Sequence, residues 1–220
     1  MSGLAINLLV FDWDGTLADS TTAIVNAMQA AIHECGVEER SADNIRSIIG
    51  LGLLEAVAVL YPDLHHADQE ILAQTYRVRY AAANRGRTAL FPGVRNTLFH
   101  LKKFEYQLAI ATGKSRKGLN TSLRETNVGE FFQISRCADE TISKPHPQML
   151  LDIMEELDVK PGQTVMIGDS EYDLQMANNA GVRSVAVTYG SQGRDRLLKY
   201  NPVICLDNIT DLPDWLAISN

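Results

Sequence analysis

The sequence predicts an α/β fold, a parallel sheet flanked by helices, with an all-helical domain inserted after the first strand. Three observations carry this expectation. Short apolar, β-branched runs recur along the chain and read as buried strands, and helical patterns lie between the later ones. The stretch from Ala18 to Arg87, by contrast, contains no convincing strand. The chain, 220 residues long, has room for a core domain plus a smaller insert. Its 45% hydrophobic and 21% charged residues supply a core and exclude a disordered or low-complexity chain.

Taken in order, Leu8-Leu9-Val10-Phe11 is the first strand. Beyond it Ile24, Met28, Ala31 and Ile32 keep helical spacing, as do Leu53, Val57 and Leu60, and then Ile71, Leu72, Thr75 and Tyr76. Turns fall at Gly36, Gly50 to Gly52 and Tyr61-Pro62-Asp63. The return point is Phe91-Pro92-Gly93, where proline and glycine end any preceding helix. The expected division is a core of 1–17 and 88–220 and a helical cap of 18–87. Further strands are expected at 108–111, 164–167, 185–187 and 203–206. Helices are expected at 94–103, 119–126, 149–157 and 174–180, each near a glycine, proline or small polar residue suited to a helix end.

Charge and cysteine content narrow the function. Twenty Lys and Arg against 27 Asp and Glu give a net charge of -7, so nucleic acid would meet net repulsion and is not an expected partner. Cys35, Cys137 and Cys205 lie far apart without a CxxC spacing, which fits buried thiols in a reduced, cytoplasmic protein. The apolar run from Ile6 to Phe11 has no basic residue before it and stops at two aspartates. It is too short and wrongly flanked for a signal peptide or a membrane span, and no membrane partner is expected.

The sharpest chemical signal is Phe11-Asp12-Trp13-Asp14-Gly15-Thr16-Leu17, two carboxylates two apart directly after a strand. Period-two geometry points them the same way, and like charges so close need a cation or a shared proton. The crevice beyond the carboxyl ends of strands is the usual ligand site of an open α/β sheet. Three further groups fall at predicted strand ends or loops: Thr112-Gly113, Lys144 in Ser143-Lys144-Pro145, and Gly168-Asp169-Ser170-Glu171-Tyr172-Asp173. A hydroxyl and a glycine N–H can hold phosphate oxygens, a lysine can neutralise transferring charge, and another carboxylate can complete an oxygen-ligand Mg2+ site. Taken alone, Ser170 with Asp173 also reads as a capping box before a helix closed by Gly181.

That order, DxDGT, then Thr, then Lys-Pro, then GDSxxD, resembles the haloacid dehalogenase-like superfamily, in particular its phosphoglycolate phosphatase-like members, over essentially the whole chain. The resemblance implies a Rossmann-like core with a helical cap and a Mg2+-dependent phosphatase of a small phosphorylated metabolite, phosphoglycolate being the named expectation. It implies Asp12 as nucleophile and Asp14 as general acid and base. It further implies Mg2+ held by Asp12, the Asp14 backbone carbonyl and Asp169, with Thr112, Gly113 and Lys144 on the phosphoryl oxygens. Asp173 would support Lys144 or the metal's waters.

Dehalogenases of the superfamily lack the second aspartate, present here as Asp14, and phosphonatases use a cap lysine, whereas this chain has no lysine before Lys102. β-Phosphoglucomutase-like enzymes carry a cap histidine where Ile24 stands, which weakens a mutase reading and leaves it as the alternative. A phospho-aspartate signalling module is the alternative from another class, opposed by the aspartates following the first strand. Gly113 stands where asparagine is frequent in phosphoglycolate phosphatases, and Lys114 next to it faces the cap. Gly50-Leu51-Gly52 resembles a cap loop that approaches the active site; a plain interhelical turn is the other reading. His65-His66 is read as a helix start, and Arg77, Arg79, Arg85 and Arg87 as a solvated face. Trp13 either shapes the pocket rim or packs on the cap linker.

Overall fold

Strand β1 (Leu8–Phe11) consists of four apolar residues, all fully buried because the strand runs through the middle of the sheet. The structure, a computed structural model, describes residues 5–84, 86 and 88–219. After β1 come four helices, α1 (Thr21–Cys35), α2 (Ala42–Ser47), α3 (Leu53–Leu60) and α4 (His66–Asn84). The chain then alternates: α5 (Val94–Lys103), β2 (Gln107–Thr112), α6 (Arg116–Thr126), β3 (Ile134–Cys137), α7 (Gln148–Glu156), β4 (Thr164–Gly168), α8 (Glu171–Asn179), β5 (Arg183–Val187), α9 (Arg194–Leu197), β6 (Ile204–Leu206) and α10 (Leu212–Ser219). The strands lie in the order β3-β2-β1-β4-β5-β6, and every neighbouring pair is parallel.

Strand alternation divides the core into two layers. Leu9, Phe11, Leu108, Ile110, Val165 and Ile167 face one way, onto Val94, Leu98 and Leu101 of α5 and Leu212 and Leu216 of α10. Leu8, Val10, Ala109, Ala111 and Met166 face the other way, onto Met149, Leu150 and Ile153 of α7 and Met176 and Ala177 of α8. Both faces are covered, which explains why the strands read as unbroken apolar runs.

The four inserted helices have a core of their own, with Val25, Met28 and Ile32 of α1 packed with Val57 and Leu60 of α3 and Leu72 of α4. The segments entering and leaving the insert run antiparallel, with Asp19 N donating to Ala89 O and Phe91 N to Leu17 O, both at 3.0 Å. No helix among the described residues is long and apolar enough to cross a membrane.

The structure departs from the sequence reading at particular elements. Strand β3, Ile134-Ser135-Arg136-Cys137, was not expected: it lies at the sheet edge, three of its four residues are only half-buried, and it lacks an apolar run. The short helix α2 buries only Ile45 and is set by a capping box of Ser41 with Asn44. Of the three thiols only Cys137 is buried; Cys35 and Cys205 are half-buried, correcting the expectation for all three. Trp13 is fully buried in the core with Leu17, Ala18, Leu90 and Phe91 and is therefore not a rim residue.

Candidate active site

The strand order reverses between β1 and β4, and a sheet of this kind opens a crevice beyond the carboxyl ends at that point. Asp12 follows β1, Thr112 ends β2 with Gly113 and Lys114 behind it, Lys144 lies in the loop after β3, and Asp169 follows β4. Residues far apart in sequence therefore meet at one edge.

Asp12 and Lys144 are both buried. Lys144 Nζ lies 2.7 Å from Asp12 Oδ1 and 2.6 Å from Asp173 Oδ1. The first contact is an ion pair, and neither Asp12 carboxylate oxygen has a hydrogen-bond partner beside it. Asp173 also accepts from Ser170 N at 3.1 Å and Ser170 Oγ at 2.7 Å. It is thus both the capping-box residue of α8 and the partner of Lys144, and the two sequence readings coexist. Asp169 is held by Thr16 Oγ1 at 2.9 Å on one oxygen and by Ser191 N and Oγ, each at 2.7 Å, on the other. Gly15 has φ +85°, and a Cβ there would run into the Asp169 carboxylate, so glycine is required for both conformation and space.

One carboxylate oxygen from each of Asp12, Asp169 and Asp173 lies within 4.8 Å of the others. Burial raises the Asp12 pKa well above the ordinary aspartate value; Lys144 opposes this, while Asp173 and Asp169 add to it. Burial, then the charge of Asp173, raises Asp169 to about 6 against the hydrogen bonds from Ser191 and Thr16. Lys144 shifts the other way round: burial works against its charge, but Asp12 and Asp173 outweigh it and keep it cationic. The pair is asymmetric because three carboxylates share one ammonium, leaving two formal negative charges uncompensated. Hard oxygen donors, an orphaned carboxylate and a charge deficit of two fit a divalent cation.

The Asp14 side chain has partners of its own beside this cluster. It accepts from Lys114 Nζ at 3.0 Å on both oxygens and from Ser20 Oγ at 2.7 Å. Thr112 is buried, its Oγ1 accepting from Lys114 N at 3.2 Å. Gly113 sits directly under the inserted loop, where a Cβ would meet the backbone carbonyls of Leu51 and Gly50. That loop is fastened to the core: Gly52 N donates to Ser143 Oγ at 2.8 Å, and Tyr172 OH donates to Ser47 O at 3.1 Å. Gly50-Leu51-Gly52 is therefore a loop against the site rather than a plain turn.

Sequence reasoning singled out Asp12, Asp14, Thr112, Gly113, Lys144, Asp169 and Asp173; the structure brings Asp12, Lys144, Asp169 and Asp173 together, and joins Asp14 and Thr112 to Lys114 and Gly113 to the inserted loop. Sequence reasoning missed Thr16, Ser20 and Ser191, hydroxyls that orient the carboxylates. Thr16 and Ser20 stand just behind Asp14, and Ser191 follows β5, so extending the strand-end rule to that strand would have found it. Elsewhere, His66 opens α4 and lies 3.7 Å from Glu70, outside any carboxylate cluster. Arg77 and Arg79 are exposed, Arg79 pairing with Glu34 at 2.6 Å. Arg85 and Arg87 lie outside the described residues.

A buried carboxylate cluster at the switch point of a doubly covered parallel sheet, roofed by a helical insert, defines an α/β enzyme. A family model for haloacid dehalogenase-like hydrolases matches residues 9–187, and the chain belongs to that family. It is 28% identical to the pyrophosphatase PpaX of Bacillus mycoides (strain KBAB4) over 229 residues, spanning 99% of this chain and 100% of that protein. Among solved structures, a haloacid dehalogenase-like family hydrolase of Streptococcus pneumoniae superposes with a TM-score of 0.83 at 26% identity, covering 96% of this chain and 98% of the other. A protein described as a "predicted phosphoglycolate phosphatase" of Haemophilus somnus 129pt superposes with a TM-score of 0.85, covering 98% of each chain; at 23% identity it speaks for the fold.

Proposed function

We propose that this hydrolase is a Mg2+-dependent phosphatase of a small phosphorylated metabolite, working in the cytoplasm through an aspartyl-phosphate. The observation that carries this is Asp12, a buried carboxylate with no hydrogen bond to either oxygen, set against Lys144 in a cluster short of positive charge. Mg2+ would be held by Asp12, the backbone carbonyl of Asp14 and Asp169, and it would supply the charge that lets an anionic nucleophile approach a phosphate. At ~4 Å and an effective dielectric near 20, each like-charge pair costs about 4 kcal/mol. Lys144, braced by Asp173, offsets part of that repulsion.

An Asp12 oxygen forms the bond to phosphorus as the bond from phosphorus to the ester oxygen breaks. The electron pair leaves with that oxygen, which takes a proton from Asp14. Water then attacks the aspartyl-phosphate, giving a proton to Asp14, and Asp12 departs as a free carboxylate. Thr112 Oγ1, the Gly113 N–H and Lys144 hold the equatorial oxygens. The cap, residues 18–87 over a core of 1–17 and 88–220, excludes bulk water and meets the leaving group.

Phosphoglycolate, from the motif pattern, and inorganic pyrophosphate, from the name of the Bacillus relative, are the first candidate substrates. The test is phosphate release from these two, a panel of sugar phosphates and nucleotides, with Mg2+ and with chelator. Mg2+-dependent release concentrated on one small substrate is expected. No release, with an isomerised sugar phosphate instead, would replace the phosphatase by a mutase; a long-lived aspartyl-phosphate would favour a signalling role.

A further inference from the structure

Lys114 has no role in the scheme above, yet it is the residue most intimately joined to Asp14. Its Nζ lies 3.0 Å from each carboxylate oxygen, and Ser20 Oγ adds a third contact at 2.7 Å on Oδ1. Equal distances mean that the ammonium is shared by both oxygens rather than held by one, which ties down the whole carboxylate group. The two side chains are only 12% and 14% exposed.

A lysine has a flexible four-carbon stem and does not hold such a position unaided. The brace comes from the insert: the Tyr80 ring of α4 faces Nζ with its centroid 4.9 Å away, and Tyr76, one turn earlier, lies 5.7 Å from Tyr80. A cation over an aromatic face is attracted by the ring quadrupole, more strongly where water is excluded. Burial opposes the Lys114 charge, but Asp14 and then Tyr80 outweigh it and raise its pKa. The order of contact is therefore Tyr80 in the insert, Lys114 at the end of β2, and Asp14 behind β1. Ser20, the residue before α1, closes the arrangement from the other side.

We infer that Lys114 is a positioning residue that aims the Asp14 carboxyl at the ester oxygen, and that Tyr80 makes this aim depend on the insert being docked. This rests on the reading of Asp14 as the proton donor, so the experiment separates the two. It compares kcat/KM for an alkyl phosphate, phosphoglycolate, with that for p-nitrophenyl phosphate, whose nitrophenolate leaves without a proton. Because kcat/KM spans only the steps up to the first irreversible one, it isolates departure of the leaving group from the later hydrolysis.

In Lys114→Met the alkyl value is expected to fall about 100-fold, the lower range of what a positioned acid contributes, and the aryl value by less than about 10-fold. Lys114→Arg, whose fork pairs with both carboxylate oxygens, is expected to recover most of the loss. Tyr80→Leu should show the same bias more weakly, and Tyr80→Phe, which keeps the ring, little of it. Equal losses on the two substrates, or none, would overturn the inference. If Lys114→Met does not fold, Lys114→Arg and the Tyr80 pair decide by the same ratio. If the substrate panel above names another alkyl phosphate, that compound takes the place of phosphoglycolate in the ratio; wild-type protein inactive on the whole panel, pyrophosphate and p-nitrophenyl phosphate included, would overturn the phosphatase reading itself, before any variant is made.

Discussion

The residue that concentrates most physics is Asp12. Its carboxylate is out of water, lacks hydrogen bonds and has an elevated pKa from burial, which would be costly if it served stability alone. Asp12→Asn removes the proposed nucleophile while keeping the shape and relieving buried charge. Turnover is expected to fall about 10,000-fold or more, as when one member of a catalytic unit is lost, with an unchanged circular dichroism spectrum. Phosphate release near the wild-type rate would remove Asp12 from the scheme. The neighbouring Asp169 yields a pH prediction. Its pKa in the folded, metal-free protein is about 6, above the ordinary aspartate value of 3.8, so the folded state retains a proton that the unfolded chain has already released. The contribution to stability is therefore lost as pH rises from about 4 to about 6. In chelator, Asp169→Asn should gain thermal stability relative to wild type across that window, and a constant difference would show that the carboxylate is compensated some other way.

At the scale of elements, loops rather than strands decide whether the site is complete. The Gly50-Leu51-Gly52 loop rests on Gly113 so closely that a methyl group has no place. Gly113→Ala is expected to lower kcat/KM by about 10-fold or more, on the principle that small misplacements at a site are expensive, and to lower the unfolding midpoint by a few degrees. Activity equal to wild type would mean that this contact is dispensable. The same scale explains what was legible in advance. β1, β2, β4 and β5 stood out because strands covered on both faces must be apolar throughout, and α5 was readable to its ends because Gly93 precedes it and basic residues fill its last turn. β3 was hidden because an edge strand can be built from Ser and Arg. In the site, Asp12, Asp14 and Asp169 were readable from their places after expected strands, and Lys144 from the order of motifs. The joining of Lys114 to Asp14 and Tyr80 was not, since it depends on how α4 lies over β2.

For the whole molecule, the charge deficit at the switch point couples metal binding to stability. A cation that binds only the folded state at 100 times its Kd adds about 2.7 kcal/mol, which in a chain of this size is a rise in Tm of about 5–10 °C. Mg2+ added to chelated protein should produce that rise in differential scanning fluorimetry, and Asp169→Asn should abolish most of it. An equal rise in the variant would place the metal elsewhere. The sheet order has a further effect during synthesis. Thr16 and the Asp169 that it contacts are separated by 153 positions, an interval of about 8–30 s on a ribosome adding 5–20 residues per second. Through that time the nascent chain carries Asp12 near the front but has neither the partner strand β4 nor the other two carboxylates of the cluster. Each newly made copy is consequently inert until most of it has emerged, and its phosphatase activity begins only once the last strands close the sheet.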